Sequence, residues 1–439
     1  MSSGLLIKAF RIEEEKTTTH TMTPRDNATT HVRLQAMLRK VSPGIKNHPV
    51  RITRAQAILL IAFILFILMR SVPWPNWLPV PAKYADADLY IRAGQALIRG
   101  ALPDSVNQEH PPLAKYIIGF FSVYLNNPYG SAFVFGLLTA IVAFLIAYRL
   151  TEDLQWAALT VWILAFDQVN ISLSIRPMLD IFMIFFAIIG FYLVMTASEK
   201  MFQYIVAGLS LGFALACKLN AALFLIPVLV VIVWEHKLKE MTGLLASAAT
   251  GYVASYFQLL LSKGFSGLLS TQVSMLSFQL ALHAYGAPVN LLLRAMTPLL
   301  VHTTTLAATG YGEYCPPNLL GLPFSTIAET VNAPLLLLPF PLLFWLLRQR
   351  GTSPPQMLRA IHLLILTIIG CMIYESVFPF TIGAWYFAPM GTVLAIGAPA
   401  MLVNLQRSNV SRYSTYILLA ILTAWLAIAN AIYMACGVA

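Results

Sequence analysis

From Ala57 onward the chain alternates apolar runs with short polar breaks, and the runs approach the roughly 20 residues that a bilayer-crossing helix needs. No other feature limits the fold so strongly. Backbone N–H and C=O groups find no partners in hydrocarbon, so each run must satisfy them internally as a helix. Hydrophobic residues make up 58% of the chain and charged residues 10%, which places it outside the soluble globular range. The expected fold class is therefore an all-α polytopic membrane protein. Spans are expected near 56–72, 130–150, 155–171, 178–197, 203–217, 219–234, 242–262, 332–347, 359–377, 385–404 and 413–436. That is about eleven transmembrane helices, although the two runs flanking Lys218 can also be read as one long broken helix.

The expected organisation follows from these runs. A basic tail covers 1–55, a membrane module 56–262 with a first external loop at 73–129, a second external loop 263–331, and C-terminal transmembrane helices 332–439. The tail includes the Thr-rich stretch TTTHTMTPRDNATTH, which cannot bury enough surface to fold alone. It is expected to be solvated, with VRLQAMLRKV as a candidate for lying on the lipid surface. No signal-peptide pattern precedes Ala57, so the first run is expected to stay as a signal anchor.

A formal charge of +10 raises the question of nucleic acid, but the placement of the cations argues against it. With the N-terminus cytoplasmic, 19 of the 28 Lys and Arg fall on the inner side and 9 on the outer. This is the positive-inside pattern of a multi-pass membrane protein, and it puts the C-terminus outside. The four cysteines, Cys217, Cys315, Cys371 and Cys436, are scattered and indicate neither a disulfide framework nor a zinc site.

That orientation gathers several polar segments on one external or lumenal face: Tyr84 to Lys115, Arg176 to Asp180, Lys218, and the stretch from Phe378 to Trp385. Charges beside spans are costly unless paired or wet, so a shared polar cavity would explain them; snorkelling of helix-end anchors is the competing reading. The first loop leaves the bilayer through VPWPNWLPVP, where Trp74 and Trp77 suit the interface. It continues as DADLYIRAGQALIRG, in which Asp88, Arg92 and Gln95 share one helical side and Tyr90, Ala93 and Leu97 another. An amphipathic surface helix is expected, with Asp86 at or near its N-cap. HPPLAKYIIGFFSVYL is a second such element, its prolines fixing the start of a helix near His110 and Lys115. His110 can be a turn residue, or with Lys115 one turn away it can form part of an anion site.

These residues resemble a known family. Asp86 and Tyr90 followed by HPPLAK are similar to the first external loop of the dolichyl-phosphate-mannose protein O-mannosyltransferases, membrane glycosyltransferases of the GT-C class. SIRPMLDIFMIFF resembles that family's Arg-x-x-Leu-Asp stretch, GLSLGFALACKLNAALF its Gly-rich helix ending in Lys, and WYFAPM, loosely, the aromatic motif near its last helices. The likeness is close over 84–234. Ala87 stands where the family normally has Glu, and Gln108 stands where Asp is common two residues before the His. The second external loop leaves no room for the MIR domains of eukaryotic members.

The resemblance implies a GT-C fold and transfer of a sugar, expected to be mannose, from a polyprenyl (dolichyl) phosphate donor to Ser/Thr hydroxyls of exported proteins, with inversion. Such transfer needs a base on the acceptor and stabilisation of the departing phosphate. Asp86 is the expected base, with Asp88 as the fallback that could stand in for the acid missing at Ala87. Arg176, Lys218, His110 and Lys115 are the expected donor-phosphate ligands. Arg176 can instead pair with Asp180 across one turn, and Lys218 can simply mark a tight hairpin. Asp180, Glu375 and Tyr386 are further candidates, while Glu313, His283 and His302 read as loop residues. No motif calls for a cofactor, and a divalent metal and the oligomeric state are left open. A prokaryotic cell membrane is the expected location. A lipid or glycan acceptor would keep the same donor site. A transporter fits less well, because no repeated halves are visible and the charges gather at an edge.

Overall fold

The computed structural model describes residues 53–71, 85–197, 200–284, 355–377 and 388–407. Among the described residues all regular structure is helical and no strand occurs. The helices are α1 (Arg54–Ser71), α2 (Ala85–Ile98), α3 (Leu113–Tyr124), α4 (Pro128–Thr151), α5 (Leu154–Phe166), α6 (Gln168–Ile175) and α7 (Leu179–Thr196). They continue as α8 (Met201–Cys217), α9 (Ala222–Trp234), α10 (Leu238–Ala254), α11 (Phe257–Ala284), α12 (Pro355–Val377) and α13 (Ala388–Arg407). The described residues from Arg54 to Arg407 belong to one compact unit. The expected spans 332–347 and 413–436 lie outside the described residues.

Helices α4 and α7 are each long and apolar enough to cross a membrane. Local chemistry sets their ends. Asn127 caps α4 by accepting from the Gly130 N–H at 2.9 Å, with Pro128 in the first turn, where a missing N–H costs nothing. Before α7, the Arg176-Pro177 peptide holds Arg176 extended (φ −125°, ψ 138°), as a residue preceding proline prefers, and the helix starts two residues later. Two-thirds of the apolar window of α7 is buried within the protein, against 44% for α4, so α7 is the central helix. Phe135 of α4 packs against Phe182 and Phe185 of α7 with ring centroids 4.7 and 5.0 Å apart.

The Gly-rich sequence of α8 has a packing cause. A methyl group at Gly208 would fall 2.2 Å from the Leu244 carbonyl oxygen, and one at Gly212 would fall 2.1 Å from that of Ala248. Small residues four apart thus let α8 and α10 touch backbone to backbone, the close approach that membrane helices use in place of a hydrophobic driving force. At the far end of α7, Arg359 of α12 grips Glu235 through Nε (2.6 Å) and Nη2 (2.8 Å) and donates from Nη1 to the Val194 and Ala197 carbonyls. It adds a second bond to the Val194 carbonyl, which already accepts from the Ala197 N–H, and gives the Ala197 carbonyl a partner.

Two expected spans are interrupted. The 155–171 run stops at Phe166, because the Asp167 carboxylate accepts from the Asn170 backbone N–H (3.3 Å) and side-chain amide (2.5 Å) and so starts a new helix, α6. The 242–262 run ends at Ala254, where Ser255 N and Tyr256 N bond three residues back and tighten the last turn; α11 then leaves at 104° to α10. Helix α11 is itself kinked at Gly264, whose φ of 64° and ψ of −165° are not helical, and it resumes as helix to Ala284.

Candidate functional site

Helices α2 and α3 form a hairpin-like pair that carries the first loop. Tyr90, Ala93 and Leu97 are buried, while Asp86, Asp88, Arg92 and Arg99 are exposed, as the 3.6-residue repeat requires. Gly94 sets the spacing between the two helices. A methyl there would lie 2.4 Å from the Lys115 carbonyl oxygen, and one at Gly119 would lie 2.2 Å from the Gly94 oxygen. Gln95 also donates to Ser122 at 2.8 Å. At twelve residues, about 18 Å of rise, α3 is too short to cross a bilayer of about 30 Å hydrocarbon.

Lys115, in the first turn of α3, is almost wholly buried. Its ammonium donates to the His110 carbonyl at 2.6 Å and also to that of Asn107, whose φ of 42° lies in the left-handed region that Asn tolerates. The lysine therefore pulls the loop before HPPLAK into a tight cup. Burial lowers its pKa to about 7, with the charge of Glu109 offsetting part of the shift. The partly buried His110 ring sits edge-on to Tyr90, with centroids 6.1 Å apart. Burial, and then the positive charges of Lys218 and Lys115, push the imidazole well below its usual range. His110 is thus a neutral imidazole between two lysines at neutral pH.

Lys218 comes from the extended residue (φ −159°, ψ 136°) between α8 and the short turn that leads to α9. It forms a 2.8 Å buried ion pair with Asp180 in the first turn of α7. Asp180 pairs across helices with Lys218; Arg176, partly buried, places Nη1 3.4 Å from Ser172 Oγ. The structure thus brings Tyr90, His110, Lys115, Lys218 and Asp180 together from α2, the first loop, α3, α8 and α7.

Asp86 and Asp88 both lie in the first turn of α2. Asp86 precedes Tyr90 by four residues, about 40° around the helix and about 6 Å along it, so it shares the stripe that leads to His110. Asp88 is about 160° away from Tyr90, on the side of Arg92. Glu375 falls in the last turn of α12, and Tyr386 lies outside the described residues. Among the described residues no group of three or more His, Cys, Asp or Glu gathers as metal ligands would.

Two further features position the loop and the helix ends around it. Helix α11 braces the loop: Tyr116 Oη donates to Gln258 (2.8 Å), Ser274 Oγ to Gln108 (3.0 Å) and Gln279 Nε2 to the Glu109 carbonyl (2.9 Å), and Lys263 pairs with Asp104. Glutamines and a serine in an otherwise apolar stretch were the available signal. The other feature is Arg70, buried over the Phe66 ring at 3.4 Å, donating to the Leu164 carbonyl at 2.9 Å and lying within charge range of Asp167. The signal there was an Arg at the C-terminal end of one apolar run and an Asp inside another.

Residues 130–281 match the family model of the dolichyl-phosphate-mannose-protein mannosyltransferases. The matched segment contains Arg176, Asp180 and Lys218; Asp86, His110 and Lys115 lie before it. No curated protein matches the chain. Over that segment the chain is similar to a membrane mannosyltransferase family, and α4 and α7 are long and apolar enough for a membrane protein.

Proposed function

We propose that the chain is a GT-C glycosyltransferase that moves mannose from a polyprenyl phosphate carrier to Ser or Thr hydroxyls of exported proteins, at the external or lumenal face of a prokaryotic cell membrane. The observation that carries this reading is the convergence of His110, Lys115 and Lys218 beside the Tyr90 stripe of α2. A site that places the Lys115 ammonium and a neutral imidazole beside the Lys218–Asp180 pair suits a reaction whose leaving group is an anion. Asp86 takes the proton from the acceptor hydroxyl while that oxygen attacks the anomeric carbon, and the carbon–oxygen bond to the carrier phosphate breaks. One carboxylate base suffices for inversion, with no covalent glycosyl enzyme.

Lys115 and Arg176 receive the negative charge of the departing phosphate. Lys218, paired with Asp180, holds its part of the cup in place, and its ammonium helps to keep His110 neutral. The neutral imidazole is able to donate one hydrogen bond to a phosphate oxygen without adding charge. A lipid or glycan acceptor would use the same donor site and is the second reading, favoured by a second external segment too short for additional acceptor-binding domains.

The test is direct. Purified protein, given a polyprenyl phosphate mannose and a Ser/Thr-rich peptide, should yield a peptide heavier by one hexose on mass spectrometry. Transfer to a glycolipid but not to the peptide would select the second reading; no consumption of the donor with either acceptor would refute the enzyme.

A further inference from the structure

At the end of the bundle away from Lys218, a cavity of about 340 Å³ opens between the C-terminal ends of α4 and α7 and the start of α12. It is lined by Tyr148, Leu150, Met195, Thr196, Met357 and Ala360. Two opposite charges, Arg149 and Glu152, also line it. They are three residues apart in sequence, yet they form no ion pair with each other or with any other described residue. Arg149 stands in the last turn of a 24-residue apolar helix, the depth at which a membrane helix meets lipid head groups.

Glu152 is the second observation. It caps α4 in the left-handed region (φ 54°, ψ 21°), where glycine is the usual residue and a side chain costs energy. At this position Glu152 sets a carboxylate in the lining of the cavity. The C-terminal end of α4 lies at the same place, and its dipole favours a cation. Arg149 offers a planar donor fork of the kind that suits phosphate.

From this geometry we infer that the cavity is a lipid site for a phospholipid head group bearing a phosphate and a primary ammonium, as in phosphatidylethanolamine. The phosphate lies on Arg149 and the ammonium on Glu152. The site is separate from the proposed donor cup, since sixteen residues of α7, about 24 Å, divide Asp180 from Thr196.

Native mass spectrometry of the purified, delipidated full chain tests this, using phosphatidylethanolamine, phosphatidylglycerol and phosphatidylcholine with identical acyl chains. The wild type should retain phosphatidylethanolamine about tenfold over phosphatidylcholine, whose quaternary ammonium has no N–H for Glu152. Glu152→Gln should erase that preference, and Arg149→Ala should reduce retention of all three lipids. Glu152→Gly separates binding from folding: it should keep or raise the Tm while losing the preference. Equal retention of the three lipids by wild type, or an unchanged preference in Glu152→Gln or Glu152→Gly, overturns the assignment. Displacement of the lipid by an equal concentration of soluble phosphoethanolamine also overturns it, and would give the site to a soluble zwitterion.

Discussion

The Lys218–Asp180 pair shows at single-residue level why a polar group inside an apolar bundle is conditional. Both side chains are at most 5% exposed, so removing one leaves the other as an uncompensated buried charge. Lys218→Met or Asp180→Leu alone should cost about 3–5 kcal/mol, whereas the double substitution should restore most of the loss. Thermal unfolding in detergent measures this, and additive losses would contradict the pairing. Lys115 makes a pH prediction. Its folded pKa of about 7 lies below the 10.5 of the free side chain, so the stability linked to this group is present above pH 10.5 and is lost as the pH falls to about 7. For an anionic donor the consequence is opposite in sign: affinity should weaken as pH rises through about 7 and the ammonium is lost. Isothermal titration across pH 6 to 9 should show that slope flattened in Lys115→Arg. His110 acts at lower pH. Folding keeps it neutral, so its contribution is present above the unfolded value of about 6.5 and is lost on further acidification.

Among the elements, the α2–α3 pair was legible because Tyr90, Ala93 and Leu97 repeat at helical spacing and the prolines of HPPLAK mark the start of α3. The sequence could not reveal that Gly94 and Gly119 face each other, since that is a contact between two helices and neither helix's own pattern contains it. Gly94→Ala sets a methyl against backbone and should cost about 1–3 kcal/mol, with lower donor affinity because the Lys115 carbonyl has to move. An unchanged Tm would mean that the helices separate freely. Asp167 ends α5 inside an apolar run, and hydropathy averaged over a span conceals a cap of that kind. The 104° bend before α11 was also hidden, because its cause is local hydrogen bonding at Ser255 and Tyr256 in an unbroken run of helix-compatible residues. Where α11 braces the loop, Gln279→Ala removes one buried-side bond and should reduce transfer more than Lys263→Ala, whose ion pair is half exposed.

Across the whole molecule, composition alone placed the chain in a membrane, and the matched segment 130–281 agrees with the resemblance read from Arg176, Asp180 and Lys218. The meeting of His110 and Lys115 with Lys218 could be proposed from a common face but not measured, because about 100 residues of sequence separate the two halves. Helical geometry sharpens the choice between the two acids, since Asp86 shares the Tyr90 stripe and Asp88 faces the other way. The central claim is that Asp86 is the base, and a transfer assay on Asp86→Asn and Asp88→Asn side by side tests it most directly. Loss of about a hundredfold or more in kcat for Asp86→Asn, with Asp88→Asn near wild type, is the expected result; full activity in Asp86→Asn, or an equal loss in both, would contradict it.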